Sequence, residues 1–222
     1  MATVTNLIQL SGRISFPWVA QPQTSVGGQP LKEPSYSCDF ILSPNDPSFL
    51  KFMQVYSEMA SEKWKVNAQA AMQRIQSDRK TRCYGAGEEK VSGKTFQPHP
   101  GYAGNVYISA RSSRQPQIIG SDGMQIDPTN TLAIRAEAAK MVGGMYVNAV
   151  VKPWLQENNT GIGIRCDLIA LQFAREGEAL GAGAVDTKGM FTPVAATGVS
   201  AAPVGAMPSF MGAAPGVPSF LA

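Results

Sequence analysis

Five separate stretches of the chain alternate apolar and polar residues, a pattern typical of strands with one buried face. They lie at residues 7–18, 35–42, 102–111, 144–154 and 162–173. The first predicted buried face carries Ile8, Leu10, Ile14, Phe16 and Trp18. In the last stretch the alternation shifts phase so that Ile169, Leu171 and Phe173 align, which indicates a β-bulge. Residues 19–34 are rich in Gln, Pro and Gly and predict a long loop.

One long helix is predicted between the second and third stretches. Asp46 suits the N-cap position and Pro47 the first helical position, and apolar residues then recur at helical spacing as far as Ile75. Residues 77–100 are polar and basic and predict an exposed loop or hairpin, whereas residues 131–142 fit either a strand or a helix. The sequence therefore predicts a mainly β fold, a small five-stranded barrel with one long helix.

The C-terminal stretch differs in composition from the rest of the chain. From Gly181 onward the only charged residues are Asp186 and Lys188, and Phe210 and Phe220 lie in two similar Pro-Ser-Phe segments. So few large apolar groups cannot offset the entropy of ordering the segment. We predict a folded domain over residues 1–178 and a flexible Gly/Ala/Pro-rich tail over 179–222. The tail is either an anchor for partners or a solubilising appendage.

Composition argues against several classes of function. Three cysteines spaced far apart and a single histidine, His99, make a Cys/His metal site improbable. The acids are scattered, and no nucleophile has a recognisable activating neighbour, so neither an enzyme nor a cofactor is expected. There is no signal-peptide pattern and no apolar run of membrane-spanning length, which predicts a cytoplasmic protein.

Positive charge is concentrated in the middle third of the chain. Between Lys51 and Gln115 there are eleven basic and five acidic residues, a net charge of +6. A concentrated basic region is what a polyanion-binding face requires, although a solvated helix face and a basic loop would give the same count.

Basic and aromatic residues also occur together on the predicted solvent faces of strands and in the basic loop. Cations bind phosphates and flat rings stack on unpaired bases, so this combination is typical of single-strand binding. The candidate nucleic-acid-binding residues are Arg13, Lys80, Arg82, Tyr84, Lys94, Tyr107, Arg111, Arg114, Tyr146, Lys152 and Trp154. Tyr146 and Trp154 fit equally well in a second core under the helix or in a dimer contact.

Two segments resemble a known family. The stretch from Gly144 to Phe173 is similar to the closing hairpin of phage single-stranded DNA-binding proteins, with its Gly-x-Tyr-Val-x-Ala strand, polar turn and Gln-Phe return. The segment from Asp39 to Asp46 that leads into the helix also resembles this family. The resemblance implies an OB-fold barrel with an inserted helix that binds single strands without strong sequence preference in replication and recombination.

The same resemblance bears on the tail and on partners. Relatives tend to end in an acidic tail with a terminal aromatic that recruits replication partners. This chain keeps Phe210 and Phe220 but has almost no acid there. We therefore expect single-stranded DNA as the ligand, replication or recombination proteins as partners of the tail, and a possible homo-oligomer in the host bacterial cytoplasm. The alternative is a phage structural or assembly protein that docks through its tail and does not bind nucleic acid.

Overall fold

The structure, a computed structural model, describes residues 6–26, 28–159 and 161–181. Within these ranges the chain forms seven strands and three α-helices. The strands are β1 (Ile8–Val26), β2 (Gln29–Leu42), β3 (Tyr84–Ala86), β4 (Val106–Ser112), β5 (Gln117–Ile119), β6 (Tyr146–Asn158) and β7 (Gly161–Arg175). The helices are α1 (Pro47–Trp64), α2 (Ala68–Ser77) and α3 (Thr131–Ala138).

Five of the strands close into a barrel. Antiparallel pairing joins β4 to β2, β2 to β1, β1 to β6 and β6 to β7. A parallel bridge between Arg111 of β4 and Asp167 of β7 closes the ring. The short strands β3 and β5 extend the outer edges of β4 and β7. The prediction of a five-stranded, OB-fold-like barrel with a long helix is confirmed.

The predicted helix begins as expected and is interrupted near its middle. The carboxylate of Asp46 accepts the backbone N–H of Ser48 at 2.8 Å, and Pro47 occupies the first turn. The first helix ends at Trp64, where Lys65 has a φ of 49° that an α-helix does not accommodate. After one 3₁₀ turn, α2 continues to Ser77. The apolar side of both helices packs on the barrel, with Phe52, Tyr56 and Ile75 almost fully buried.

The buried face of β1 follows the predicted alternation only as far as Ile14. Beyond it, Ser15 and Val19 are buried, whereas Phe16 and Trp18 are 47% and 44% exposed. The pairing with β2 slips by one residue between Ser15 and Trp18, and Phe16 has a φ of 47°. A bulge of one residue exchanges the two faces of a strand. The prediction that Phe16 and Trp18 belong to the core is therefore wrong.

Other connections also differ from the sequence-based expectation or resolve it. Apart from the turn at Gly28, the described part of 19–34 is strand rather than loop, because β1 and β2 continue as a long hairpin beyond the barrel. The ambiguous segment 131–142 contains α3. The bulge in β7 is confirmed, since Val150 pairs with Ala170 and Val151 with Leu168. The extra residue, Ile169, lies outside the core, whereas Leu171 is fully buried.

The segment after β7 packs on the barrel as far as Leu180. The backbone N–H of Leu180 donates to the carbonyl of Gly143 at 2.9 Å, and its side chain contacts a small second core of Ile41, Tyr102 and Tyr107. Packed chain thus continues just past the predicted boundary at residue 178. The rest of the predicted tail of residues 179–222, from 182 onward and with Phe210 and Phe220, lies outside the described part of the chain.

Candidate nucleic-acid interface

A groove of about 1100 Å³ lies on the barrel surface. Its lining comes from all five barrel strands and from the segment between residues 82 and 90. The buried lining residues form what we call the floor, namely Cys38, Asp39, Cys83, Ala110 and Cys166. The exposed lining residues form what we call the rim, namely Phe16, Trp18, Arg111, Ser113, Arg114 and Trp154.

Three aromatic rings stand on the rim. The bulge in β1 turns Phe16 and Trp18 outward, and Trp154 lies on the outward face of β6 with 38% of its surface exposed. His99 supports Phe16 by an edge-on contact with 4.9 Å between ring centroids. Partly exposed rings in an open groove can stack on planar groups. Such rings lie on both the β1 side and the β6 side of the rim.

The five basic residues of the groove differ in how their charge is compensated. Arg82 binds the carboxylate of Glu89 through both oxygens, at 3.0 and 2.9 Å, and Lys90 lies 2.8 Å from Asp39. Arg165 donates to two neutral acceptors, Oε1 of Gln156 and the carbonyl of Lys80. Among the residues that the structure describes, Arg111 and Arg114 have no ion pair. The uncompensated positive charge of the groove therefore lies on Arg111, Arg114 and Arg165.

The buried carboxylate on the floor, that of Asp39, has a partner on each of its two oxygens. The Oδ2 atom of Asp39 accepts the hydroxyl of Tyr102 at 2.7 Å and lies beside Lys90, while Oδ1 accepts the hydroxyl of Ser109. Burying a carboxylate is costly unless a cation and hydrogen-bond donors satisfy its oxygens, and Asp39 has both. This network fixes Lys90 against the floor and over the ring of Tyr107, with its Nζ 4.6 Å from the ring centroid.

Four of the residues predicted from the sequence line the groove, namely Arg82, Arg111, Arg114 and Trp154. Lys152 is exposed two residues before Trp154 on the same face of β6. Lys80 is exposed next to the groove, where its carbonyl binds Arg165. Lys94 lies at the exposed tip of the hairpin closed by Val91 and Pro98.

Two predicted tyrosines are buried, which contradicts the expectation that their rings face solvent. Tyr107 does point out of the barrel, but Tyr102 and Leu180 cover it, and it is 3% exposed. Tyr84 packs among aromatic residues of α1 and donates its hydroxyl to Gln76 at 2.8 Å. Burial raises the pKa of Tyr107 and raises the pKa of Tyr84 to about 12. Both side chains are structural, and neither ring is available to stack on a ligand in this structure.

Two further predicted residues lie away from the groove, at the start of β6. The guanidinium of Arg13 donates to the carbonyls of Gly144 and Glu178, at 3.3 and 2.6 Å. The ring of Tyr146 is covered by Arg175, whose Cζ lies 3.4 Å from the ring centroid. Arg13 thus holds the segment after β7, Tyr146 packs against the last residue of β7, and neither residue lines the groove.

The candidate set left out four basic or aromatic residues of the groove, namely Phe16, Trp18, Lys90 and Arg165. Lys90 was part of the basic loop and Arg165 lay on a predicted polar face, so charge alone could have included them. Phe16 and Trp18 continue the apolar alternation of β1, and Pro17 was the one local sign that the strand is irregular there.

Two of the floor thiols are protonated, and the acids of the described ranges are not grouped as metal ligands. Burial raises the pKa of Cys38 and of Cys166, so both thiols stay protonated and act as small apolar groups. Within the described ranges no three His, Cys, Asp or Glu side chains are grouped so as to hold a metal ion.

In the same ranges no helix has the length and apolar character needed to span a membrane.

The order and pairing of the barrel strands define an OB-fold. In this fold the second and third barrel strands, with the loops after the first and fourth, form the face that binds oligonucleotides and oligosaccharides. Here the second and third barrel strands are β2 and β4, and both line the groove together with strand residues of the β1–β2 and β6–β7 hairpins. The chain is therefore an OB-fold protein with an aromatic and basic groove on the face that binds ligands in this fold.

Residues 5–198 match the family model described as Enterobacter phage Enc34, ssDNA-binding protein. The chain belongs to this family of phage single-stranded DNA-binding proteins, as its sequence resemblance predicts. The family is defined by DNA binding and not by a reaction, which agrees with the prediction of a non-enzymatic protein.

Individual relatives are similar at lower identity. The chain is 27% identical over 175 residues to the putative protein p50 of Acyrthosiphon pisum secondary endosymbiont phage 1, covering 78% of this chain and 85% of that protein. Its fold is similar to the single-stranded DNA-binding protein from bacteriophage Enc34 in complex with ssDNA, with a TM-score of 0.59 and 22% identity. That match covers 80% of this chain and 91% of the other. A second structure of the Enc34 protein gives a TM-score of 0.56 at 22% identity, over 83% and 89% of the two chains.

Proposed function

We propose that this chain binds single-stranded DNA in the groove, without strong sequence preference. The observation that carries the proposal is the rim, where Phe16, Trp18 and Trp154 stand with the uncompensated cations Arg111 and Arg114. Rings can stack only on bases that are unpaired and unstacked, which a single strand offers and a duplex does not. Stacking is tolerant of base identity because every base has a flat face.

Family membership supports the same ligand. The family description names single-stranded DNA, and the Enc34 protein has been solved in complex with it. On this basis we propose that the chain protects and organises single-stranded DNA during phage replication and recombination in the host bacterial cytoplasm. The tail, with Phe210 and Phe220, recruits replication or recombination proteins in this proposal, and several copies act together on one strand.

Fluorescence anisotropy with a labelled oligo-dT and a duplex of the same length tests the ligand. At about 50 mM salt, where phosphate contacts are strong, we expect tight binding to the single strand and weaker binding to the duplex. If neither ligand binds at low salt, the proposal is wrong and a structural or assembly role becomes the better explanation.

Substitution of the rim rings tests the location of the site. Trp18→Ala and Trp154→Ala should each weaken binding by roughly 5- to 150-fold, the value of one stacked base. Leu132→Ala is the matched control, because Leu132 is 79% exposed on α3 and does not line the groove. Unchanged affinity in both tryptophan variants, with wild-type binding intact, would place the site elsewhere on the barrel.

A further inference from the structure

Asp167 is an unexpected residue in a groove proposed to bind a polyanion. It lines the groove on β7, and a carboxylate there repels phosphates and weakens binding. Two cations are its register partners, Arg111 across the parallel bridge and Lys152 across the β6–β7 pair. Yet among the described residues neither of them forms an ion pair with Asp167. A direct ion pair therefore does not explain why an acid lies at this position.

The hydrogen bond that Asp167 does make is to a ring of the rim. The indole Nε1–H of Trp154 donates to Oδ1 of Asp167 at 2.7 Å. In the register, Trp154 faces Arg165 and Lys152 faces Asp167, so the indole reaches diagonally across to β7. A hydrogen bond to a charged acceptor is stronger than one between neutral groups.

Trp154 needs such a restraint more than a core tryptophan does. It is 38% exposed, and within the described part of the chain no other ring packs against it. A partly exposed indole that rotates freely must lose that freedom when a base stacks on it. A restraint already present before binding removes this part of the cost.

We propose that Asp167 is a positioning residue that holds the indole of Trp154 in the orientation in which it stacks on a base. This inference rests on the proposed function, since it assumes that single-stranded DNA occupies the groove. In this proposal the carboxylate of Asp167 has two opposite effects on DNA binding. Its charge weakens binding, and its hydrogen bond strengthens binding by fixing the ring.

The two effects can be separated by substitution. Asp167→Asn removes the charge but keeps a carbonyl oxygen that accepts the indole N–H, whereas Asp167→Ala removes both. Trp154→Phe keeps a ring that stacks but has no N–H to donate. The four combinations of these changes form a double-mutant cycle that isolates the hydrogen bond from the charge.

Anisotropy titrations of oligo-dT with the full chain measure the cycle, and thermal unfolding checks that every variant is folded. In the Trp154 background, Asp167→Asn should bind no more weakly than wild type, and Asp167→Ala should bind at least about fivefold more weakly than Asp167→Asn. In the Trp154→Phe background the two Asp167 variants should agree within about twofold. The inference is overturned if Asp167→Asn and Asp167→Ala bind with equal affinity when Trp154 is present. It is also overturned if the two variants still differ in affinity in the Trp154→Phe background. Absence of wild-type binding would instead contradict the proposed function itself.

Discussion

The salt dependence of binding should be controlled by Arg111 and Arg114. Binding of a cation to a phosphate releases counterions, so affinity falls with salt in proportion to the number of such contacts. The acids that compensate Arg82 and Lys90 leave them little capacity for this role. Counting the groove cations without an acidic partner gives three contacts, from Arg111, Arg114 and Arg165.

These contacts predict numerical slopes. For single strands the logarithm of the affinity falls with the logarithm of salt by about 0.7 for each contact. Three contacts give a slope of about −2, or a roughly 20-fold loss of affinity between about 50 and 200 mM salt. With Arg111 and Arg114 both replaced by Ala, the remaining contact gives a slope of about −0.7 and a roughly threefold loss over the same range.

Anisotropy titrations at several salt concentrations measure both slopes. Arg111→Lys retains the charge and should keep the wild-type slope. Arg135→Ala removes one positive charge from an exposed position on α3 outside the groove, and it should also keep the wild-type slope. The reasoning is refuted if the double variant keeps the wild-type slope, because the phosphates then do not lie along this part of the rim. It is equally refuted if Arg135→Ala lowers the slope as much per charge removed, because net charge would then account for the effect.

Three further changes to the chain have expected outcomes. In denaturant titrations, Phe16→Gly should change the free energy of unfolding by less than about 2 kcal/mol. Glycine relieves the left-handed backbone at this position, which offsets the lost ring contacts. Replacement of a core Phe by Ala, in contrast, lowers the free energy of unfolding by roughly 3–5 kcal/mol. Anisotropy should show binding by Phe16→Gly weakened about fivefold or more. Burial raises the pKa of Tyr84 from 10.0 to about 12, so its contribution to stability is complete below pH 10 and is lost as pH rises through about 12. Tyr84→Phe should accordingly reduce the fall in Tm over that pH range. Deletion of the chain after Gly181 should leave Tm and DNA affinity nearly unchanged in the same assays and abolish partner recruitment in pull-downs. A large rise in affinity would show that the tail inhibits binding.

The barrel could be predicted from the sequence because its determinants are local. Alternation marked all five barrel strands, a capping Asp46 and Pro47 marked the helix start, and a phase shift marked the bulge in β7. Trp154 and Arg111 could be found in the same way, because a residue on a polar strand face faces away from the core. Each of these predictions required only the period of a strand or a helix.

The remaining site residues depend on contacts that no local pattern records. The bulge in β1 reverses the facing of Phe16, although the apolar spacing of the sequence continues unchanged through it. Tyr107 faces outward as predicted, but it is covered by Tyr102 and by Leu180, which is 73 residues away in sequence. Lys90 is compensated by Asp39, from a different part of the chain. Long-range packing and pairing therefore decided which rings and charges were left for a ligand.

The distribution of charge in the groove also indicates how a single strand of DNA would lie in it. Ion pairs and buried thiols make the floor nearly neutral, with Lys90 balanced by Asp39, whereas Arg111 and Arg114 on the rim are uncompensated. A bound strand would gain most with its phosphates along these arginines and its bases against the rings. The opposite orientation would place the phosphates on a nearly neutral floor, where no uncompensated cation binds them. Because the arginines would meet only the backbone and the rings only base faces, this orientation explains how binding can be salt-dependent and yet tolerant of sequence.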